Sequence, residues 1–319
     1  MADHRDAATG PLGRLALARG TVDRTAELRL DELALAAVWS NPDTRVLVVS
    51  EGRAFVLDEP DPVVAGATRP RLVTLSSHDA PEGDRYLLGR DESGYTFFAV
   101  PAETLPGQFD GDARPASLRE VGVHLSDRDA GLLTHAVALE HWHRSHRYCP
   151  RCGSPTQVAA AGHIRRCANC GTEHYPRTDP AVIMAVTDPE ERLLLGRGSS
   201  WGPNRFSVLA GFVEPGESLE QAVAREVAEE AGLTVTSVTY LGSQPWPFPC
   251  SLMLGFTATV EDPGRMRADG EEVLEVRWFS REELTEATKS GEIVLSGQIS
   301  IARALIEHWY GAPVTDAAP

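Results

Sequence analysis

Residues 211–233 read GFVEPGESLEQAVAREVAEEAGL. No other stretch constrains the chain as tightly, because this one prescribes a loop, a helix and a cluster of carboxylates together. Gly211 is followed after five residues by Glu217, and after seven more by Arg225-Glu226-Val227-Ala228-Glu229-Glu230-Ala231-Gly232-Leu233. Ser218 is a good N-cap, the residues after it are mostly helix formers, and Gly232 stands where a helix would stop. Glu226 and Glu230 are four apart, so their carboxylates share one helix face, with Glu229 beside them. Leu219, Val223 and Val227 form the neighbouring apolar stripe, which suits a helix laid on a sheet. Three like charges this close repel one another unless something neutralises them. Hard oxygen donors in this number suit Mg²⁺ or Mn²⁺. Arg225 can pair with Glu229 one turn on, or reach back to Glu217. Gly211 and Gly216 read as serving the loop's backbone geometry. An isolated acidic helix is often no more than a solvated face. With Gly211, Glu217, Arg225 and Gly232 all in place, the reading is a divalent-metal site.

A second pattern is independent of the first. Cys149-Pro-Arg-Cys152 and Cys167-Ala-Asn-Cys170 are two CxxC pairs at the spacing of a four-thiolate zinc ribbon. Gly153 and Gly171 directly follow the second cysteine of each pair and allow the tight turn in which backbone N–H groups approach the sulfurs. Four thiolates leave no open coordination position, so the zinc is structural. His163 and His174 lie near the ribbon but are not needed by it, and Cys250 has no partner in the pattern.

The chain has 319 residues, enough for two or three domains, and a formal net charge of −16. That charge argues against a general electrostatic grip on nucleic acid or on an anionic membrane, and leaves any phosphate substrate to be recruited locally. There is no N-terminal signal pattern and no run approaching about 18 apolar residues, so a cytoplasmic protein is expected. Residues 1–24 and 313–319 read as flexible ends.

Downstream of the acidic helix comes Ser243-Gln244-Pro245-Trp246-Pro247-Phe248-Pro249-Cys250-Ser251. Proline removes ladder donors, so this is no central strand. It reads as a stiff extended loop presenting two aromatic rings. Those rings suit stacking on flat bases or a nicotinamide, or else they cap the core.

The residue 211–233 pattern fills every defined position of the Nudix hydrolase signature. With SQPWPFP beyond it and four cysteines before it, the chain resembles the NADH pyrophosphatase branch of that family from about residue 142 to 309. The resemblance implies an α+β protein: an N-terminal α+β domain, a zinc ribbon and a C-terminal Nudix α/β/α sandwich. It implies cleavage of the pyrophosphate of NADH or NAD⁺ to AMP and nicotinamide mononucleotide, and removal of NAD caps from RNA 5′ ends. Catalytic roles fall on Glu226, Glu229 and Glu230, and catalytic Mg²⁺ or Mn²⁺ on Glu226, Glu230, Glu272 and the Ala210 carbonyl, with Glu271 competing for the place of Glu272. Substrate contacts fall on Tyr175, Gln244, Pro245, Trp246, Pro247, Phe248, Pro249, Cys250, Ser251 and Ala302, and a homodimer is implied. One departure is visible: residues 153–166, between the cysteine pairs, contain no Asp or Glu. Two other readings remain: a Nudix pyrophosphatase for ADP-ribose or other dinucleotides, and a zinc-ribbon nucleic-acid-binding module whose Nudix domain is inactive.

The expected order is an N-terminal domain at 25–125, a connecting helix at 126–146 capped by Ser126, the ribbon at 147–176 and the Nudix domain at 177–312. Thr44–Val49 and Ala54–Leu57 read as one hairpin, Tyr86–Arg90 and Tyr95–Val100 as another. The second hairpin is echoed faintly by Leu193–Arg197 and Phe206–Ala210, a hint that residues 25–125 are a degenerate Nudix-like domain without catalysis. Strands are expected at Val182–Val186, Leu252–Thr259 and Leu274–Phe279, and a closing helix at Ile299–Tyr310.

Overall fold

A computed structural model describes residues 10–102 and 112–316. The described chain falls into two compact units. One is built from residues 17–102, 112–178 and 246–250, the other from residues 10–16, 179–245 and 251–316. No helix among the described residues is long and apolar enough to cross a membrane.

The first of these, the ribbon unit, contains α1 (Glu32–Trp39), β1 (Thr44–Val49), β2 (Arg53–Pro60), β3 (Thr68–Leu72), β4 (Leu75–Ser76), β5 (Tyr86–Arg90), β6 (Thr96–Pro101), β7 (Arg114–Ser117), α2 (Leu118–Val121) and α3 (Asp127–Ser145), then β8 (Thr156–Ala159), β9 (Ile164–Cys167) and β10 (Glu173–His174). Its sheets run β4-β1-β6-β5, β3-β2-β7 and β10-β9-β8. The β5–β6 hairpin forms as expected, and Ser126 caps α3 by accepting the Asp129 N–H. The expected β1–β2 hairpin does not form a ladder. Glu51 and Gly52 do make a two-residue turn with positive φ (51° and 73°), closed by a Ser50–Arg53 bridge. Pairing stops there, because β1 joins β6 in parallel while β2 joins β3 and β7 in a different sheet. Glu140 of α3 fixes this corner: its carboxylate accepts the N–H groups of Glu51 and Gly52 at 2.5 and 2.8 Å.

The second, the catalytic unit, holds β11 (Asp179–Thr187), β12 (Leu193–Gly198), β13 (Leu209–Phe212), α4 (Leu219–Ala231), β14 (Val235–Trp246, whose last residue falls with the ribbon unit), β15 (Ser251–Val260), β16 (Val273–Phe279), α5 (Arg281–Ser290) and α6 (Ile301–Tyr310). Its sheet runs β14-β15-β11-β12-β16, with β13 paired to β11. Strand periodicity divides the side chains between two cores. Ile183 and Ala185 of β11 face one with Leu193, Leu195, Leu305 and Ile306, while Val182, Met184 and Val186 face the other with Val223 and Val227 of α4. The result is a helix–sheet–helix sandwich.

Two expectations about the ends are corrected. Leu15 and Leu17 are 7% and 2% exposed, and Arg19 bonds Asp127 and the Val123 carbonyl, so residues 10–24 are packed rather than loose. Val314 is 6% exposed and Asp316 accepts both oxygens' worth of hydrogen bonds from Arg303, so 313–316 are anchored too. The rest of those ends, 1–9 and 317–319, lies outside the described residues.

Candidate active site and zinc ribbon

The acidic helix is α4, and its local signals act as the sequence implies. Ser218 and Gln221 form a capping box, and Gly232 ends the helix at φ 67°. Arg225 makes both expected pairs and more. It donates to both Glu217 oxygens at 2.9 Å, to Glu226 at 2.8 Å, to Glu229 at 2.9 Å and to the Phe212 carbonyl at 2.9 Å. One guanidinium therefore ties the loop, strand β13 and the helix together. Glu217 also accepts the Glu214 N–H, closing the loop on itself.

Gly216 has φ 87°, so it serves the backbone as expected. Gly211 serves a different purpose. Its β13 backbone is ordinary strand paired with Val182, but an added Cβ would lie 1.9 Å from the Glu226 carboxyl. Glycine here makes room for a carboxylate. Gly211→Ala is expected to displace Glu226 and lower turnover by about 10²-fold, since misplacement of a positioned group by about 1 Å has that effect. The thermal midpoint should move far less, and an equal fall in both would show the effect to be a folding defect.

Glu226 and Glu230 are each 7% exposed, whereas Glu229 is largely exposed. Burial raises Glu230 to about 8, with added repulsion from Glu226, Glu272 and Asp269. Burial also raises Glu226, and Arg225 opposes that rise. A cavity of about 330 Å³ is lined by Ala210, Glu230, Glu272, Gly198 and Trp201 among others. Glu272 lines this cavity with Glu230, and Glu271 is not among its lining residues. Asp269 accepts the N–H groups of Glu271, Glu272 and Val273 and so shapes the loop that presents Glu272. Sequence reading missed Asp269, which stands outside any motif.

These residues fit a hard divalent cation. Glu230 Oε2 is buried without a hydrogen-bond partner, and its neighbours are further carboxylates. An orphaned anionic oxygen of this kind is stabilised by a cation it can ligate. Without one, stability should depend on pH. Between about 4.5 and about 8 the folded state holds a proton on Glu230 that the unfolded state has released, so stability falls as pH rises through that window. Thermal unfolding in magnesium- and manganese-free buffer should show this slope, and Glu230→Gln should flatten it. An unchanged slope in the variant would remove Glu230 as its source.

In the ribbon unit the four cysteines converge, the one such group among the described residues whose ligating atoms all lie within 4.8 Å of one another. The Sγ separations of 3.5, 3.6 and 3.7 Å approach the roughly 3.8 Å edge of a tetrahedron with 2.3 Å Zn–S bonds. Gly153 and Gly171 have φ 72° and 70° and donate to the carbonyls of Cys149 and Cys167. The donor set fits zinc and leaves no open position. His163 Nε2 is hydrogen-bonded to the Leu87 carbonyl at 2.8 Å, and His174 also lies outside the thiolate group.

The proline-rich segment differs from the extended loop read from sequence. Strand β14 continues through Gln244 and Pro245 to Trp246. It tolerates Pro245 because it is the edge of the sheet, where one side of the ladder is unused. Gln244 is 0% exposed and donates to the Ile299 carbonyl at 3.0 Å, and Ala302 is 2% exposed. Ser251 opens β15 opposite Asp179. Trp246 through Cys250 fall in the ribbon unit, as does Tyr175, which is 64% exposed and donates to Glu173. Trp246 and Phe248 meet edge to face, centroids 5.0 Å apart. Pro247 is buried, Pro249 exposed, and Cys250 half-buried. The Arg119 guanidinium lies 3.8 Å from the Phe248 ring and 5.0 Å from that of Trp246, and His141 Nδ1 is 2.9 Å from the Pro247 carbonyl. Neither contact had a local signal, since both partners are more than 100 residues away in sequence.

Comparison with known proteins agrees with this architecture. Residues 177–295 match the NUDIX domain, 144–175 the NADH pyrophosphatase zinc ribbon domain, and 43–142 the NADH pyrophosphatase-like rudimentary NUDIX domain. A Mycobacterium bovis protein named NAD-capped RNA hydrolase NudC is 41% identical over 92% of this chain and 94% of its own length. The Homo sapiens NAD-capped RNA hydrolase NUDT12 is 38% identical over 59% of this chain and 43% of its own. A solved NUDIX hydrolase from Nitrosomonas europaea is 25% identical over 54% of this chain and 97% of its own, with a TM-score of 0.41. The chain belongs to the Nudix hydrolases. Within them it belongs to the group whose Nudix domain follows a rudimentary Nudix domain and an NADH pyrophosphatase zinc ribbon.

Proposed function

We propose that this chain hydrolyses the pyrophosphate linkage of NADH and NAD⁺, giving AMP and nicotinamide mononucleotide, and removes NAD caps from RNA 5′ ends. The observation that carries this reading is the like-charged set of buried Glu226 and Glu230 with the exposed Glu272, the last two lining the catalytic unit's cavity, in a chain 41% identical over 92% of its length to a protein named NAD-capped RNA hydrolase.

Glu226, Glu230, Glu272 and the Ala210 carbonyl would hold Mg²⁺ or Mn²⁺. When bound, the ion neutralises the diphosphate and lowers the pKa of a coordinated water. The chain's own groups position and exclude. Arg225 holds Glu226 and Glu229 in a single network, so both carboxylates are pre-oriented. Glu229, on the exposed side of that network, orients the attacking water or takes its proton. Water adds to one phosphorus and the bridging P–O bond breaks, which yields two monophosphates. Trp246 and Phe248 supply flat apolar surface for a base or nicotinamide, and Tyr175 a further contact. The working state is read as a cytoplasmic homodimer.

Hydrolysis of NADH in Mg²⁺ or Mn²⁺, with products resolved by chromatography, tests the reading. AMP and reduced nicotinamide mononucleotide in equal amounts are expected. ADP-ribose cleaved severalfold faster than NADH would replace the substrate. Binding of NAD-capped RNA without cleavage in either metal would replace the enzyme with a binding module.

A further inference from the structure

Many arginines in this acidic chain are tied to carboxylates, Arg225 and Arg303 among them. Arg24 and Arg29 are among those that are not: neither makes an ion pair with a described residue. Both belong to the ribbon unit, on the segment carrying the 3-10 turn Ala26–Leu30, which packs on the turn Ala160–Gly162. That packing gathers cationic and imidazole groups. Arg24 Nη1 lies 3.3 Å from His135 Nε2 of α3, and the His135 and His163 rings are 5.4 Å apart.

The imidazoles supply no counter-charge. His163 is held by the Leu87 carbonyl and His135 by the backbone of Leu88, and burial keeps both neutral, His163 down to about 4. The carboxylate acting on Arg29 is Glu27, beyond ion-pair distance, while Asp23 accepts the Thr25 N–H. Burial and the neighbouring Arg24 both lower Arg29. Two donors are left buried with no partner: Arg29 Nε and the hydroxyl of Thr25, a residue only 5% exposed. Thr25 is also fixed in a left-handed conformation at φ 43°. The buried, unmet donors of Thr25 and Arg29 are unfavourable as they stand, and the exposed Arg24 beside them adds a second positive charge. An oxyanion with several lone pairs is the group that would meet such donors, and phosphate geometry matches the guanidinium fork.

We propose that Arg24, Thr25 and Arg29 form a binding site for a phosphate-type oxyanion in the ribbon unit, built from residues that take no part in the carboxylate site. The shared chemistry is a phosphate group, which can come from a free phosphate monoester or from the phosphodiester backbone of a polynucleotide.

Thermal unfolding of the full zinc-loaded chain tests this without added divalent ions. Sodium phosphate, AMP or uncapped single-stranded RNA is compared with sodium chloride at matched ionic strength. Phosphate is expected to raise the midpoint of the wild type above its value in chloride, as binding to the folded state requires. Arg29→Met and Arg24→Met should each weaken phosphate binding by at least about tenfold, as loss of a charge-assisted contact does. Both variants should hydrolyse NADH at the wild-type rate and unfold in chloride no earlier than the wild type. A shift with AMP and phosphate alone assigns the monoester; a larger shift with RNA assigns the phosphodiester. If a variant does not fold, the imidazole resonances of His135 and His163 in the wild type provide the readout, and they should move on adding phosphate. Equal midpoints in phosphate and chloride, equal shifts in wild type and variants, or unmoved imidazole resonances would overturn the site.

Discussion

Glu230→Gln is expected to lower NADH hydrolysis by on the order of 10³-fold while making the magnesium- and manganese-free protein more stable at pH 8. The two effects share one cause. Glu230 sits 7% exposed against Glu226 and Glu272, with one oxygen unmet, so its charged form is disfavoured in the fold. Gln keeps the shape and removes the charge. Relief of a penalty that raises the group from 4.5 to about 8 is worth on the order of 5 kcal/mol at high pH. Turnover falls because the same charge is what a divalent cation and the diphosphate chemistry need. Steady-state rates and thermal unfolding at pH 5 and pH 8 check both halves. A variant that is less stable at pH 8, or one that keeps near-wild-type turnover, would show respectively that Glu230 is not strained in the fold or not needed for turnover.

The second large effect is expected at the ribbon. Cys149→Ser should abolish zinc retention and lower the stability of the ribbon unit by several kcal/mol, because structural zinc binding is coupled to folding at about 10–16 kcal/mol. The three-stranded β8–β10 sheet is too small to hold without it. Cys149 is 1% exposed and its neighbours Cys152, Cys167 and Cys170 lose their common partner together. Zinc content by atomic absorption and the calorimetric profile check this. Full zinc occupancy in the variant would mean that three thiolates suffice. Wild-type unfolding without zinc would mean that the metal is incidental to the fold.

The readable parts of the chain share a physical character. The α4 helix announces itself because cap, helix formers, carboxylate spacing and terminal glycine act within a few residues of one another. The zinc knuckles do the same, since each CxxC-Gly closes on its own backbone. Where the reading went wrong, the deciding contact was remote. A turn does fall between Thr44–Val49 and Ala54–Leu57 as the hairpin reading implies, yet which sheet each flanking strand joins is set by Glu140, 89 residues from Glu51, and by β6 and β7. Pro245 rules out a central strand, as the reading has it, but only the sheet order shows that β14 runs through it at an edge where proline is tolerated, instead of giving way to a loop. Residues 10–24 read as loose because they lie at a chain end, but Leu15 and Leu17 are buried in contacts that no local pattern announces.

By itself the sequence determined the chemistry: which carboxylates share a helix face, which thiolates form a set, and which signature they fill. These follow from short-range backbone geometry, where spacing alone dictates direction. Tertiary structure alone decided how that chemistry is tuned. It placed the Glu226 carboxyl where only a glycine at 211 leaves room, buried Glu230 beside Glu272, and set Arg119 against Phe248. Burial, close approach and the field of distant charges depend on packing between elements far apart in the chain, and spacing along the sequence carries no record of them.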